Sequence, residues 1–128
     1  MKYFLKYTLL LVVLFIFTAC ATKRPIVSSG AIIVFKTPAM KFYDKGFVKV
    51  YDKYINLQIY NTGVVALNLD IYKNKICKGF LQCIDSSEFN KKYLSSTYKG
   101  DFLYELFSSK NIYFKDKLNK VFIKVKKL

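Results

Sequence analysis

Residues 54–72 read YINLQIYNTGVVALNLDIY, and this stretch decides the fold. From Tyr54 to Tyr60 the side chains alternate, with Ile55, Leu57 and Ile59 pointing one way and Asn56, Gln58 and Tyr60 the other. Strict period-two alternation predicts a strand with one face on a core and one toward water. Asn61-Thr62-Gly63 is turn chemistry. Val64 to Tyr72 then resumes the alternation, with Asn68 and Asp70 on the polar side. Two half-buried strands joined by a tight turn are antiparallel neighbours.

The same grammar extends in both directions. Upstream, Ala31–Lys36 (AIIVFK) is a β-branched run and predicts a strand, broken at Thr37-Pro38. Met40–Tyr43 and Gly46–Tyr51 flank Asp44-Lys45-Gly46, which predicts a hairpin turn there. In the second arm Phe47, Lys49 and Tyr51 alternate with Val48, Val50 and Asp52. Downstream, Lys73-Asn74-Lys75 turns the chain into a segment beginning at Ile76. The pattern then changes period. Asp85-Ser86-Ser87-Glu88 has the form of a capping box, and Phe89, Tyr93 and Leu94 follow at helical spacing. A second helix is predicted from Asp101, with Phe102, Leu103, Leu106 and Phe107 as its apolar stripe. Ile112–Phe114 and Val121–Val125 return to strand. No internal repeat or low-complexity tract appears. The expectation is an α+β domain over residues 31–128, a curved antiparallel sheet with two short helices inserted before the last strands.

The N-terminus follows a different logic. Lys2 and Lys6 precede an uncharged run, Tyr7–Phe17, reading YTLLLVVLFIF. Its length suits the apolar centre of an export signal and falls short of the roughly 20 residues that span a bilayer. Thr18 and Ala19 follow, then Cys20. This arrangement resembles the lipobox of bacterial lipoproteins, with Phe17 standing where that family usually has Leu. The resemblance implies a diacylglycerol on the Cys20 sulfur, cleavage between Ala19 and Cys20, and often acylation of the new amino group. Residues 1–19 then form the signal and residues 20–30 a lipidated tether. Two or more acyl chains anchor firmly, at ~0.8 kcal/mol per buried methylene. Lys23 and Arg24 would lie near the headgroups and favour anionic ones. Ala21 is not the Asp that retains lipoproteins in the inner membrane under the best-known sorting rule, so the resemblance points to the outer membrane, on its periplasmic or surface side.

Removing residues 1–19 from 128 leaves 109, the size of one ordinary domain. It also removes two lysines from the 22 basic residues, leaving 20 against 8 acidic ones, a net charge of +12. Arg24 is the single arginine, whereas nucleic-acid recognition favours arginine forks. An exported chain rarely meets nucleic acid, and no such partner is expected. Two readings of the charge stay open: a solvated lysine surface in a chain rich in Lys, Asn, Ile, Phe and Tyr, or attraction to anionic lipid or polysaccharide. Tyr43, Tyr51, Tyr54, Tyr60 and Tyr72 carry the same ambiguity, as strand residues packing on a pleated face or as the lining of a sugar or lipid surface.

Cys77 and Cys83 remain after Cys20 is assigned. Along one continuous strand their sulfurs would stand about 20 Å apart at ~3.3 Å per residue, too far to bond. A reversal near Lys78-Gly79 would let them close a disulfide, which an oxidising compartment preserves, and this is the expectation. Two cysteines with no histidine anywhere make half a zinc site, so neither a metal nor a cofactor is expected. The absence of histidine also removes the commonest general base, and no phosphate-binding glycine loop occurs. Nothing selects the remaining carboxylate pair, Glu105 and Asp70, as a site. The chain reads as non-enzymatic.

The order of strands, a helical insert carrying Tyr93-Leu94, Phe102-Leu103 and Leu106-Phe107, and closing strands from Ile112 resembles the Lol-pathway outer-membrane lipoprotein receptor family over residues 46–125. That resemblance implies a sheet capped by helices and cradling acyl chains, and it carries over no binding residue. The leading expectation is therefore an anchored envelope lipoprotein that handles lipid or lipoproteins or supports outer-membrane assembly, with Phe102, Leu103, Leu106 and Phe107 as an apolar ligand surface. The alternative is a surface interaction module, an adhesin or polysaccharide binder, using Lys and Tyr. An apolar concavity under the helices would favour the first, and an exposed face of Tyr and Lys the second.

Overall fold

The computed structural model describes residues 1–16, 24–79 and 82–128. The order of elements is α1 (Lys2–Ile16), β1 (Val27–Lys36), β2 (Lys41–Val50), β3 (Ile55–Asn61), β4 (Val64–Ile71), β5 (Lys75–Lys78), β6 (Gln82–Asp85), α2 (Ser86–Tyr93), α3 (Phe102–Ser108), β7 (Tyr113–Asp116) and β8 (Val121–Lys127). The eight strands form one antiparallel sheet in the order β6-β5-β4-β3-β2-β1-β8-β7. The first six make a meander. The chain then crosses through α2 and α3 to the other edge, where the β7–β8 hairpin joins through β8 to β1. Both edge strands have only four residues, which limits the unpaired backbone offered to other chains. The fold is the α+β class expected, with two short helices before the last strands.

Alternation puts one face of this sheet in the core. Ala31, Ile33 and Phe35 of β1, Val48 of β2, Ile55, Leu57 and Ile59 of β3, and Leu67, Leu69 and Ile71 of β4 are all buried. They share one cluster with Phe89, Leu94, Leu103 and Phe107 from the helical segment. Both helices therefore lie on the same face, α2 against β5 and β6 and α3 against β3. Asp85 caps α2, its Oδ1 accepting from the Ser87 amide at 2.8 Å. Asp101 occupies the N-cap of α3 without a side-chain capping bond. α1 buries none of its residues, and no described helix is long and apolar enough to cross a membrane.

The structure corrects the sequence reading in the first hairpin. β2 runs unbroken from Lys41 to Val50, so Asp44-Lys45-Gly46 is mid-strand. Gly46 is there for a different reason: a Cβ at this position would collide with the Gln58 carbonyl and come within 2.8 Å of Ile33 Cδ1. It marks a close approach of backbones, a known use of glycine within strands. The turn lies instead at residues 37–40, where Met40 N donates to Thr37 Oγ1 at 3.0 Å and Thr37 N to the Met40 carbonyl at 2.6 Å. β1 also begins at Val27, four residues before Ala31, because Val27–Gly30 pair with Phe47–Val50. Thr62 and Gly63, both at positive φ, make the turn between β3 and β4, while Asn61, read with them as turn, is the last residue of β3 and pairs with Val64.

Candidate functional site

The residues singled out from sequence separate into three groups. Cys20, the lipid-attachment candidate, lies outside the described residues. Cys77 and Cys83 stand opposite each other in the β5–β6 register and are joined by a disulfide, with a Cα–Cα distance of 3.9 Å. The chain does reverse between them, in a hairpin that lies at the β6 edge of the sheet. The apolar stripe of α3 divides in two. Leu103 and Phe107 are closed into the core at 1% and 2% exposure. Phe102 and Leu106 are only partly buried and line an open groove of about 760 Å³ with Tyr98, Phe114, Glu105 and Asn111. Phe102, Phe114 and Tyr98 form an aromatic cluster there, with centroids 4.6–5.5 Å apart. Glu105 sits on the helical side of the sheet and Asp70 on the opposite face, so they form no carboxylate pair. Among the described residues, no group of acidic or cysteine side chains could hold a metal ion.

The face of the sheet away from α2 and α3 carries what the five tyrosines only hinted at. Tyr43 and Tyr60 lie on it by strand parity, and Tyr51, Tyr54 and Tyr72 immediately flank the ends of β2, β3 and β4. Register then builds transverse rows that cross from β2 through β1 and β8 to β7. One row reads Tyr43–Val34–Lys124–Tyr113. On one side of it runs Lys41–Lys36–Phe122–Lys115, and on the other Lys45–Ile32–Lys126. With strands about 4.8 Å apart, a four-strand row is roughly 14 Å wide. Lysines are interspersed with aromatic and aliphatic side chains across these rows. Tyr43 is 69% exposed, Tyr113 57% and Phe47 40%, so these rings face solvent on this side of the sheet. Lys115 Nζ stands 5.9 Å from the Phe122 ring centre and Lys49 Nζ 5.7 Å from that of Phe47.

The face changes character along the strands. Toward β4 it turns polar: Asn56 Nδ2 donates to Asn68 Oδ1 at 2.8 Å and to Asp70 Oδ1 at 2.7 Å. At the end where β2 meets β3, Tyr51, Tyr54 and Tyr72 stack in a row, with ring centres 4.6 and 5.0 Å apart. Burial, and then Asp70, push the Tyr54 pKa above its ordinary range. At the opposite end, the β1–β2 and β7–β8 turns bring Lys36, Lys41, Lys115, Lys117 and Lys120 around a hollow of about 500 Å³. Asp116 borders the same hollow, and its carboxylate is already engaged. Tyr98 Oη donates to Asp116 Oδ2 at 2.6 Å and Asn119 Nδ2 donates at 2.7 Å, which holds the Asp116 pKa below the usual range. Burial and that same bond push Tyr98 up.

The individual tyrosines were readable from period-two alternation. The rows were not, because they require β8 beside β1, a pairing some 90 residues apart in the chain. No protein-family model, curated protein or solved structure matches this chain.

Proposed function

We propose that this chain is a non-enzymatic lipoprotein of the bacterial envelope, tethered through acylated Cys20, most naturally at the outer membrane, and using the helix-free face of its sheet to bind an anionic polysaccharide. The observation that carries the binding reading is the set of rows crossing β2, β1, β8 and β7, in which lysines interleave with exposed tyrosines. Lysine ammonium groups pair with carboxylate or sulfate on a polymer, and their spread attracts it from a distance. Exposed ring faces and hydroxyl edges supply contacts to sugar rings, as amphipathic aromatics do at wet interfaces. Supporting the tether is the sequence order of charged start, apolar run, small residues and Cys20. Of the two expectations drawn from sequence, the sheet face favours the interaction module. Against an acyl cradle under the helices stands the placement of Leu103 and Phe107, which are packed into the core.

Two measurements test the two halves. Cys20→Ser should abolish labelling by a fatty-acid probe in the host, and equal labelling of mutant and wild type ends the lipoprotein reading. The domain should bind polygalacturonate and leave neutral dextran unbound. Equal retention on both polymers, or on neither, rejects the polysaccharide reading. The open groove at Phe102 and Leu106 favours a second reading, capture of an acyl chain beside α3, in keeping with lipid handling. A fluorescent fatty acid that binds the wild type and is lost from Phe102→Ala would establish it.

A further inference from the structure

The stacked tyrosines lie at the end of the sheet where the chain enters it. Tyr51, Tyr54 and Tyr72 share a groove of about 400 Å³ with Arg24, Asp52 and Lys53. Arg24 is four residues after Cys20 and eight after the end of α1. Four residues reach at most about 14 Å and eight about 29 Å, at ~3.6 Å each. Whatever holds residues 1–20 at a bilayer therefore holds this groove beside the headgroups.

The geometry of the rings narrows what they can meet. Tyr54 has Tyr51 stacked on one side and Tyr72 on the other, matching the strand order β2-β3-β4. Lys75 on β5, next in that order, places Nζ 4.6 Å from the Tyr72 ring centre. Tyr54 is covered on both faces, and Tyr72 by Tyr54 and Lys75, so the stack offers a sugar less open ring than Tyr43 and Tyr113 do. The groove it lines carries the cations of Arg24 and Lys53 with the single carboxylate of Asp52, and Lys75 adds a third cation over the far ring. Amphipathic rings with a polar rim and nearby basic side chains suit the headgroup layer of a membrane. The exposed Tyr43 and Tyr113 lie further along the strands, toward the lysine-rich pole, so the two aromatic groups face different surroundings.

We propose that the Tyr51–Tyr54–Tyr72 stack with Arg24 and Lys53 is a membrane-docking edge that seats the domain on anionic lipid headgroups and points the β1–β2 and β7–β8 turns away from the bilayer. The proposal rests on the membrane-tethered reading, and fatty-acid labelling of Cys20 tests that reading separately. Here the docking edge is tested without any lipid on the protein. The domain of residues 24–128 keeps the whole core, since α1 buries nothing. Its flotation is measured with vesicles of phosphatidylglycerol and phosphatidylethanolamine, against phosphatidylcholine alone. Arg24→Gln with Lys53→Gln should lower affinity for the anionic vesicles about tenfold. Lys117→Gln with Lys120→Gln removes the same charge at the opposite pole and should change it less than threefold. Because the chain has no tryptophan, Tyr51→Trp and Tyr113→Trp provide single reporters. Lipids brominated near the headgroup should quench the reporter introduced at position 51 and spare the one at 113. Failure to float on anionic vesicles, equal loss from both charge pairs, or equal quenching at both positions would overturn the proposal.

Discussion

Leu103→Ala measures whether α3 is closed on the sheet. Leu103 is 1% exposed and belongs to the core cluster with Phe107, Leu57 and Ile59. The substitution removes three carbons, a transfer loss of roughly 2.4 kcal/mol at ~0.8 kcal/mol per group. Because the β3 side of the helix is packed, the site cannot fully collapse, and the residual void raises the cost to about 3–4 kcal/mol. For a domain of this size, at roughly 4–8 °C per kcal/mol, melting should fall by at least about 12 °C. Leu106, on the open groove, is the internal control. Its truncation leaves no sealed void, and about 1 kcal/mol is expected. Urea titrations followed by circular dichroism on both variants give the numbers directly. A Leu103→Ala cost below about 1 kcal/mol, equal to that of Leu106→Ala, would refute the closed core. Bound fatty acid in the wild type together with that result would restore the acyl cradle under the helices.

Gly46→Ala should destabilise by roughly 1–3 kcal/mol through overpacking against the Gln58 carbonyl, read from the shift in urea midpoint; a neutral result would mean β2 and β3 do not approach closely there. Replacing both Cys77 and Cys83 by Ser should cost about 2–3 kcal/mol, the entropy of a short closed loop, and alkylation of the wild type isolated without reductant should find neither thiol free. Tyr98 has its folded pKa raised, so its contribution to stability is complete below the unfolded value near 10 and declines as pH rises beyond it. Melts from pH 8 to 11 should fall more steeply for the wild type than for Tyr98→Phe, and parallel curves would remove the Tyr98–Asp116 bond from the account. Asp116 has its pKa lowered, so what it contributes is lost as pH falls below about 3.8, and Tyr98→Phe should weaken that acid dependence too.

Residues 54–72 were legible because a half-buried strand writes its two faces into alternate positions, and Ile55, Leu57 and Ile59 are buried as that alternation requires. The α2 cap and the apolar stripe of α3 were equally plain, since both depend on neighbours within one helical turn. Asp44-Lys45-Gly46 misled for a physical reason. Glycine after a polar pair serves a tight turn and a close backbone approach equally well, and only the position of Gln58 across the ladder distinguishes them. The α3 stripe hid a finer division for a similar reason. Phe102 and Leu106 are as apolar as Leu103 and Phe107, and which pair is closed off from solvent is set by tertiary packing. The transverse rows at Tyr43 and Tyr113 arise from the β1–β8 pairing and could not be composed from any local window.

The most direct test of the binding claim leaves the charge unchanged. Tyr43→Ser with Tyr113→Ser removes the two most exposed rings of the sheet face and no lysine. Both side chains stand largely in solvent, so the melting temperature should stay within a few degrees. Calorimetric titration with polygalacturonate should show affinity reduced about tenfold, from two aromatic contacts of roughly 0.5–1 kcal/mol each. Affinity for polyglutamate, an anion without sugar rings, should be nearly unchanged. Unaltered polygalacturonate affinity in the double variant, or equal loss for both polymers, would contradict recognition of an anionic polysaccharide by the rows of lysine and tyrosine.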